Sequence, residues 1–598
     1  MSPTSSAAAK TPAKPRTKKA AGGAAPALPD DERTALDADI DRLEAGARVW
    51  VALTLDQRAR LLGRVRDAVG QVAQEWADAA TMSKGLEPGH VLSGEEWLGG
   101  PYAVIGLLDA LRETLEALAT GKSPLDGVKL DDAPGGRLRA HTFPLNGTEK
   151  FLLSGFTGEV WFEPGVTADQ ARREAGLAQL TPTESGGVGL VLGAGNVTSI
   201  PVADVLYELF AHNRVALLKV NPTQDSLVPV FERALAPLIE PGFVRIVRGG
   251  AATGAYLTSH PRLVHVHITG SAATFDAIVW GASTEGTTHE TPKLQVPITA
   301  ELGGVSPIIV VPGRWSAADL KYQAEHVATM RLVNAGHNCI AGQVVILSAD
   351  WPQRGEFLHR LHEAYAAAPE RPVWYPRGDE RLGAAASAYP DAVWCADRTR
   401  AIVEVGAGDD PAPVETIEYF APILGVVEVG GTGQEFLDAA VAHANDRLTG
   451  TLGANVIIDP VTEAALGDGF ERAIADLRYG DIAINTWTAF NFLTARLTWG
   501  GFPGATLADV SSGIGVVHNA LLLDRVERSV ARGPFRPFPR SVGDKLRFLS
   551  LSKGTILPTP PWFVSSRTGA EVSAGLTRYL VDGRLPGLVA TLTKAMQA

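Results

Sequence analysis

An alternation beginning near residue 188 constrains this chain more than any other feature. "GVGLVLGAGN" is an apolar run ending in glycines, and 200–212 follows with helical spacing and Pro201 in its first turn. "RVALLKVN", a helix over 225–239, "VRIVRGG", a short helix in "ATGAYLTSH" and the strand "LVHVHITGS" come next. Strands apolar at nearly every position must be covered on both faces, and the intervening helices supply the covers. The pattern predicts an α/β fold built on a parallel sheet, whose ligands bind at the carboxyl ends of the strands. A second block of the same kind starts near Glu301 with "GVSPIIVVP", a helix over 317–334 and "GQVVILS".

The flanks are of other kinds. Over 31–119, Leu36, Ile40 and Leu43, then Leu61, Leu62, Val65 and Val69, recur at three-to-four spacing and predict helices. Residues 120–167 are richer in Gly and Pro, with strand-like pieces "KFLLSGF" and "GEVWFEP", and read as an extended arm. The two sheet units span 168–300 and 301–490, and the Gly/Pro-rich 491–598 reads as a wrapping tail. The leader over 1–30 holds five basic residues, with no acid before Asp30. Dominated by Ala, Pro, Lys and Gly, it cannot bury enough apolar surface to fold, and disorder is expected.

A length of 598 residues exceeds what one core organises. A net charge of −12 argues against nucleic acid or an anionic membrane as the main partner. Two cysteines supply no disulfide framework and too few thiolates for a typical zinc site, so no metal centre is expected and a reducing, cytoplasmic setting fits. No apolar run is long enough to span a bilayer, and the leader lacks the apolar stretch of a secretory signal.

One of the two cysteines, Cys339, sits in "NAGHNCIAGQ" between Gly336 and Gly342, where it is either a small core residue or an accessible thiol. Gly193-Ala194-Gly195-Asn196 occupies the place of a dinucleotide loop. The third fingerprint glycine is replaced by Thr198, and no acid closes the following strand, so the match is weak. Asn196 is a turn residue or a side-chain amide at the mouth of the sheet. In "AELGGVSP", Glu301 precedes paired glycines and is either a strand-edge carboxylate or a base. His265 and His267, two apart on one strand, face the same side and read as structural without a further ligand. Cys395 has no companion motif and reads as inert.

As an ordered set, Asn196, Lys219, "TGSAATF", "ELGGVSP", "GHNCIAGQ" and "EYFAP" resemble the aldehyde dehydrogenase superfamily, clearly so over about 180–505. The resemblance implies two parallel-sheet, Rossmann-like domains plus an arm for oligomerisation, with 31–119 joining the cofactor domain. It implies NAD or NADP as cofactor, a small-molecule aldehyde as substrate and a homodimer or homotetramer. Cys339 would be the nucleophile, Glu301 the base for deacylation and Asn196 an oxyanion donor, together with the Cys339 N–H. Lys219 would bind the adenosine ribose, Gly270 and Ser271 the pyrophosphate, and Glu418 the nicotinamide ribose with Phe420 packed beside it. Trp487, Phe490 and Phe492 suggest an apolar substrate pocket.

Three departures bear on this reading. "GAGNVTSIP" is more similar to the acyl-CoA reductase branch, Pro222 stands where many NAD-preferring members carry an acid, and the glycine usually trailing T-G-S is absent, with Phe275 or a neighbour in its place. Two alternatives follow: a CoA-acylating enzyme, in which a thiol replaces water, and a non-catalytic relative kept as a scaffold.

Overall fold

A computed structural model describes residues 28–281, 291–542 and 554–597. The basic leader lies outside the described residues except for 28–30. Two long helices open the fold, α1 (Asp30–Trp50) and α2 (Leu55–Ser83), followed by α3 (Ala103–Ala119). Thr54 starts α2 with a capping box, its hydroxyl accepting from the Gln57 amide and the Gln57 side chain accepting from the Thr54 amide. The predicted apolar stripes, Leu36–Ile40–Leu43 and Leu61–Leu62–Val65–Val69, are buried and share one core with the sheet that follows.

An arm, β1 (Leu130–Ala133), β2 (Arg137–Phe143) and β3 (Thr157–Phe162), precedes the alternating units. The first unit is β4 (Val188–Leu192), β5 (Val215–Lys219), β6 (Val244–Val247), β7 (His265–Gly270) and β8 (Ile298–Leu302), with helices α4 (Ile200–His212) and α5 (Ala272–Val279). The second holds α6 (Ala317–Leu332) and strands β9 (Ser306–Val310), β10 (Gly342–Ser348), β11 (Val393–Cys395), β12 (Arg400–Glu404), β13 (Ile423–Val429), β14 (Gly453–Ile457) and β15 (Asp481–Ile484). Two further strands, β16 (Gly513–Ile514) and β17 (Val526–Arg532), lie in the tail.

The small sheet runs β16-β8-β7-β4-β5-β6, parallel except for β16, and the large one runs β1-β2-β3-β17-β15-β14-β9-β10-β13-β12-β11. The α/β class is as expected, with mixed sheets whose strands are mostly parallel; β1, β2, β3 and β11 add antiparallel pairs to the large sheet.

Three local expectations differ from the structure. Within "KFLLSGF", Lys150–Leu152 end a helix, Gly147–Leu152, because Asn146 and Glu149 form a capping box that satisfies two end amides. The helix expected over 225–239 is broken into a 3₁₀ turn, Pro222–Leu227, and helices Val228–Ala234 and Ala236–Ile239, with Pro229 and Pro237 each in a first turn. The tail does more than wrap: β17 enters the large sheet between β15, to which it is parallel, and β3, to which it is antiparallel. The arm thereby joins the sheet of its own chain.

Candidate active site

A cavity of about 2470 Å³ opens at the carboxyl ends of β4, β5, β7 and β8 and is lined by residues of both sheet units. Its volume exceeds the usual span of one small-ligand pocket. Every site residue picked from the sequence lines it: Asn196, Lys219, Gly270, Ser271, Glu301, Cys339, Glu418 and Phe420. The aromatic residues Trp487, Phe490 and Phe492 line it as well.

Beyond α6 the chain turns through Asn334, Ala335 and Gly336 at φ of 56°, 53° and 70°. Left-handed geometry at the two non-glycine positions costs on the order of 1–3 kcal/mol each and persists only where the surroundings over-determine it. The ties are explicit. Asn334 donates from Nδ2 to the carbonyls of Asn196 at 3.0 Å and His337 at 3.1 Å, and its backbone amide donates to the Glu95 carboxylate at 2.8 Å. Asn196 donates from Nδ2 to the His337 carbonyl at 2.9 Å. On the other side the His337 ring donates from Nδ1 to the Phe420 carbonyl at 2.7 Å, and Arg331 donates to the carbonyls of Ala341 and Ala421. Cys339 thus rides on a loop pinned between the Asn196 turn and the Glu418–Ala421 segment. Burial lowers the His337 pKa to about 3 and keeps the ring neutral.

Cys339 is partly exposed as a residue, yet burial of its thiol, then the nearby Glu418 and Glu301, push its pKa up. Glu301, near the end of β8, is buried, and neither carboxylate oxygen accepts a hydrogen bond of standard geometry among the described residues. Burial first, then the charges of Asp204 and Asp481, hold its carboxyl well above the usual range, while the Trp499 indole favours the charged form. Burial likewise raises Asp481 well above that range. Glu418 is pushed up to about 7 by burial, against the opposing pull of Arg381 and Arg331. A Cβ at Gly303 would stand 1.9 Å from Glu418 Oε1, so any larger residue there would displace the Glu418 carboxylate. The resting arrangement therefore pairs a protonated thiol with a carboxyl that holds its proton far longer than an exposed glutamate.

Along the small sheet, Lys219 closes β5; burial lowers its pKa and Asp225 counteracts this. Pro222 starts the 3₁₀ turn on the cavity wall, and the Thr223 hydroxyl beside it is committed to the Gly195 carbonyl at 2.7 Å. Ser271 caps α5, its Oγ accepting from the Thr274 amide at 3.2 Å, so the helix start faces the cavity where anions are favoured.

Sequence reasoning missed two cavity residues. Asp204 on α4 is buried and binds His518 Nε2 through Oδ1 at 3.1 Å; both line the cavity. His518 is held at φ 52°, which no local motif announces. Asp204 had a usable signal: with Glu208 it places acids four residues apart in an otherwise apolar helix. His265 and His267 do share one buried side of β7. Cys395 is half-buried, its Sγ 3.8 Å from the Arg400 carbonyl.

The family model for the Aldehyde dehydrogenase family matches residues 176–377. That match covers β4 to β10 and includes Asn196, Lys219, Glu301 and Cys339. Over these residues the chain matches the aldehyde dehydrogenase family. Solved structures agree on the fold over most of its length. The NAD-dependent aldehyde dehydrogenase from Sinorhizobium meliloti is 19% identical, covers 85% of this chain and 88% of its own, and has a TM-score of 0.56. For gamma-glutamyl-gamma-aminobutyraldehyde dehydrogenase from Burkholderia cenocepacia the values are 20%, 83%, 88% and 0.55. The NADP-dependent glyceraldehyde-3-phosphate dehydrogenase from Bacillus halodurans, complexed with NADP, gives 16%, 85%, 92% and 0.56. At such identities the shared property is the aldehyde dehydrogenase fold. Among the described residues no helix is long and apolar enough to cross a membrane, and no cluster of three His, Cys, Asp or Glu could hold a metal ion.

Proposed function

We propose that this chain oxidises an aldehyde to a carboxylic acid with NAD or NADP, through a thioester on Cys339. The observation that carries the reading is the convergence of Cys339, Glu301 and Asn196 on one cavity together with a cation, a helix start and an unpartnered carboxylate oxygen. The last three suit a dinucleotide: Lys219 for the adenosine ribose, Ser271 and the first-turn amides of α5 for the pyrophosphate, and Glu418 Oε1 for the second ribose, with Phe420 beside it. The chemistry a nicotinamide supplies when bound is hydride acceptance, which turns the Cys339 thiohemiacetal into a thioester.

The chain's own residues account for the rest. The thiol proton passes to water in the open cavity as Cys339 Sγ bonds to the aldehyde carbon. The carbonyl oxygen then carries charge. One N–H of the Asn196 amide is spent on the His337 carbonyl, which leaves the second for that oxygen beside the Cys339 backbone N–H. Losing one such donor typically costs about 10²–10³ in rate. In deacylation Glu301, once ionised, takes a proton from water, the water oxygen bonds to the acyl carbon, and the C–S bond breaks, releasing the carboxylic acid and returning Cys339 as its thiolate. Trp487, Phe490 and Phe492 supply an apolar wall for the substrate.

The Asn196 loop supports a CoA-acylating reading instead, in which a thiol replaces water; retention of Glu301 in the cavity supports water. Two free cysteines and no disulfide fit a reducing cytoplasm. The arm's inner strand is consumed by β17 of the same chain, and its outer strand β1 carries Asp131 and Asp132. A homo-oligomer would therefore form through faces rather than by extending the sheet.

A panel of aldehydes with NAD and NADP, with and without CoA, followed by absorbance of the reduced cofactor, tests the reading. Cys339→Ala should abolish turnover and leave the thermal unfolding profile intact. Parent-like turnover in that variant would end it.

A further inference from the structure

The stripe of α4 that faces β7 is polar and titratable. Asp204, Glu208 and His212 recur every four residues and so share one face of the helix. Beneath them, His265, His267 and Thr269 alternate along β7, and the register sets His267 beside Thr299 and Thr269 beside Glu301 on β8. All of these side chains lie in one layer between helix and sheet.

Hydrogen bonds link the layer from Asp204 to His265, and a close ion-pair contact carries it on to Glu208. Thr269 donates from Oγ1 to Asp204 Oδ2 at 3.0 Å, and His267 Nε2 lies 3.2 Å from Thr269 Oγ1 and 3.5 Å from Asp204 Oδ2. The other His267 nitrogen, Nδ1, is 2.8 Å from Thr299 Oγ1, which is 3.4 Å from His265 Nε2. His265 Nδ1 then meets Glu208 Oε1 at 2.9 Å, and Arg214, with 20% of its side chain exposed, donates to Glu208 at 3.2 Å. One end reaches the cavity at Asp204 and His518, and the other reaches solvent beside Arg214 and the partly exposed His212.

A buried acid next to a buried histidine costs folding energy unless fully paired, and pairing alone needs no path. Here each carrier accepts on one atom and releases from another: imidazoles through Nδ1 and Nε2, threonines through a hydroxyl, acids through two oxygens. The β7–β8 layer, moreover, ends beside Glu301, whose carboxyl has no hydrogen-bond acceptor of standard geometry among the described residues. The charges facing the layer are Arg214 at its outer end and Asp481 of β15 at its inner end.

We propose that the layer between α4 and strands β7 and β8 is a buried proton conduit, carrying the proton taken up at Glu301 through Asp204 and the paired histidines to Glu208 and solvent. Glu301 binds one proton when the deacylating water attacks and must lose it before acting again. The conduit delivers a proton at Glu208 for each one accepted at Asp204, so no redox partner or co-reactant is consumed. The proposal rests on the aldehyde oxidation reading, since it needs a reaction that loads Glu301.

Glu208→Gln keeps the size and one acceptor of the side chain and removes its titration, well away from the cavity. The first-turnover burst of reduced cofactor should persist, while steady-state kcat falls by roughly 10²-fold, the low end of what positioned proton transfer contributes. The solvent deuterium isotope effect on kcat should rise, and free imidazole should restore most of the loss. His265→Gln should behave alike if Glu208→Gln folds poorly by thermal unfolding. An unchanged kcat, or a fall that imidazole does not rescue and that leaves the isotope effect at the parent value, overturns the conduit. Absence of a burst in the parent instead removes the dehydrogenase reading on which it stands.

Discussion

The middle of the large sheet packs Ile309, Val344, Ile346 and Val456 into an apolar layer, while the small sheet lays a row of histidines, threonines and carboxylates beneath α4. Both layers are buried in the same fold, and energetically they are opposites. Apolar burial stabilises by roughly 25 cal/mol per Å² removed from water. Buried ionisable groups cost free energy that hydrogen bonding only offsets. A chain that can build the first kind of layer and builds the second next to its reactive carboxyl is using that region for proton chemistry. The large sheet supplies stiffness and the ledge for Cys339; the small sheet supplies the cavity wall and the path for charge. Glu301 feels the charges of both Asp204 on α4 and Asp481 on β15.

The contrast can be broken from the apolar side first. Ile309 is fully buried on β9 with Ile346 and Val456 as register neighbours. Ile309→Ala should cost about 2–5 kcal/mol in denaturant unfolding and leave kcat per folded molecule unchanged. A large loss of kcat with little loss of stability would place chemistry in a layer read as scaffold.

A smaller effect comes from Asp481, buried at the head of β15 and hydrogen-bonded by Asn491 at 3.2 Å and the Gly500 amide at 3.4 Å. Its folded pKa is raised, so the native state keeps a proton that the unfolded chain releases above about pH 4. The stability it contributes is complete below that pH and declines as pH rises toward the folded value, by up to about 1.4 kcal/mol per unit. Asp481→Asn removes this slope. Its stability advantage over the parent should therefore grow between about pH 5 and pH 7 in denaturant titrations; a pH-independent difference would show that Asp481 ionises normally.

The smallest effect concerns the cofactor wall. Pro222 offers neither charge nor donor there, and the Asp225 that acts on Lys219 does not line the cavity. The parent should use NADP with kcat/KM within roughly tenfold of the NAD value, and Pro222→Glu should shift preference toward NAD by on the order of tenfold, about 1.4 kcal/mol. Thousandfold rejection of NADP by the parent would move specificity to a group outside this loop.

The two regions also differed in legibility. The apolar strands were readable because their chemistry is local: β4, β5, β9 and β10 each appear as a continuous run. The eight candidate site residues were picked by their order along the chain, and all of them line one cavity. The conduit was not readable as a whole, because its cavity end pairs residues 314 positions apart and depends on a left-handed backbone at His518. The arm's pairing with β17 was equally distant in sequence, and the helix in "KFLLSGF" was missed because an Asn146–Glu149 cap outweighs a short apolar run.

The central claim is that Cys339 carries the acyl group and Glu301 releases it. Glu301→Gln, mixed with aldehyde and NAD, quenched after one turnover and digested for mass spectrometry, measures this directly. The account predicts a burst of reduced cofactor equal to the enzyme present, a steady state slower by roughly 10²–10⁴-fold, and the acyl mass on the peptide containing Cys339. No adduct on that peptide, or an adduct on the Cys395 peptide instead, would contradict it.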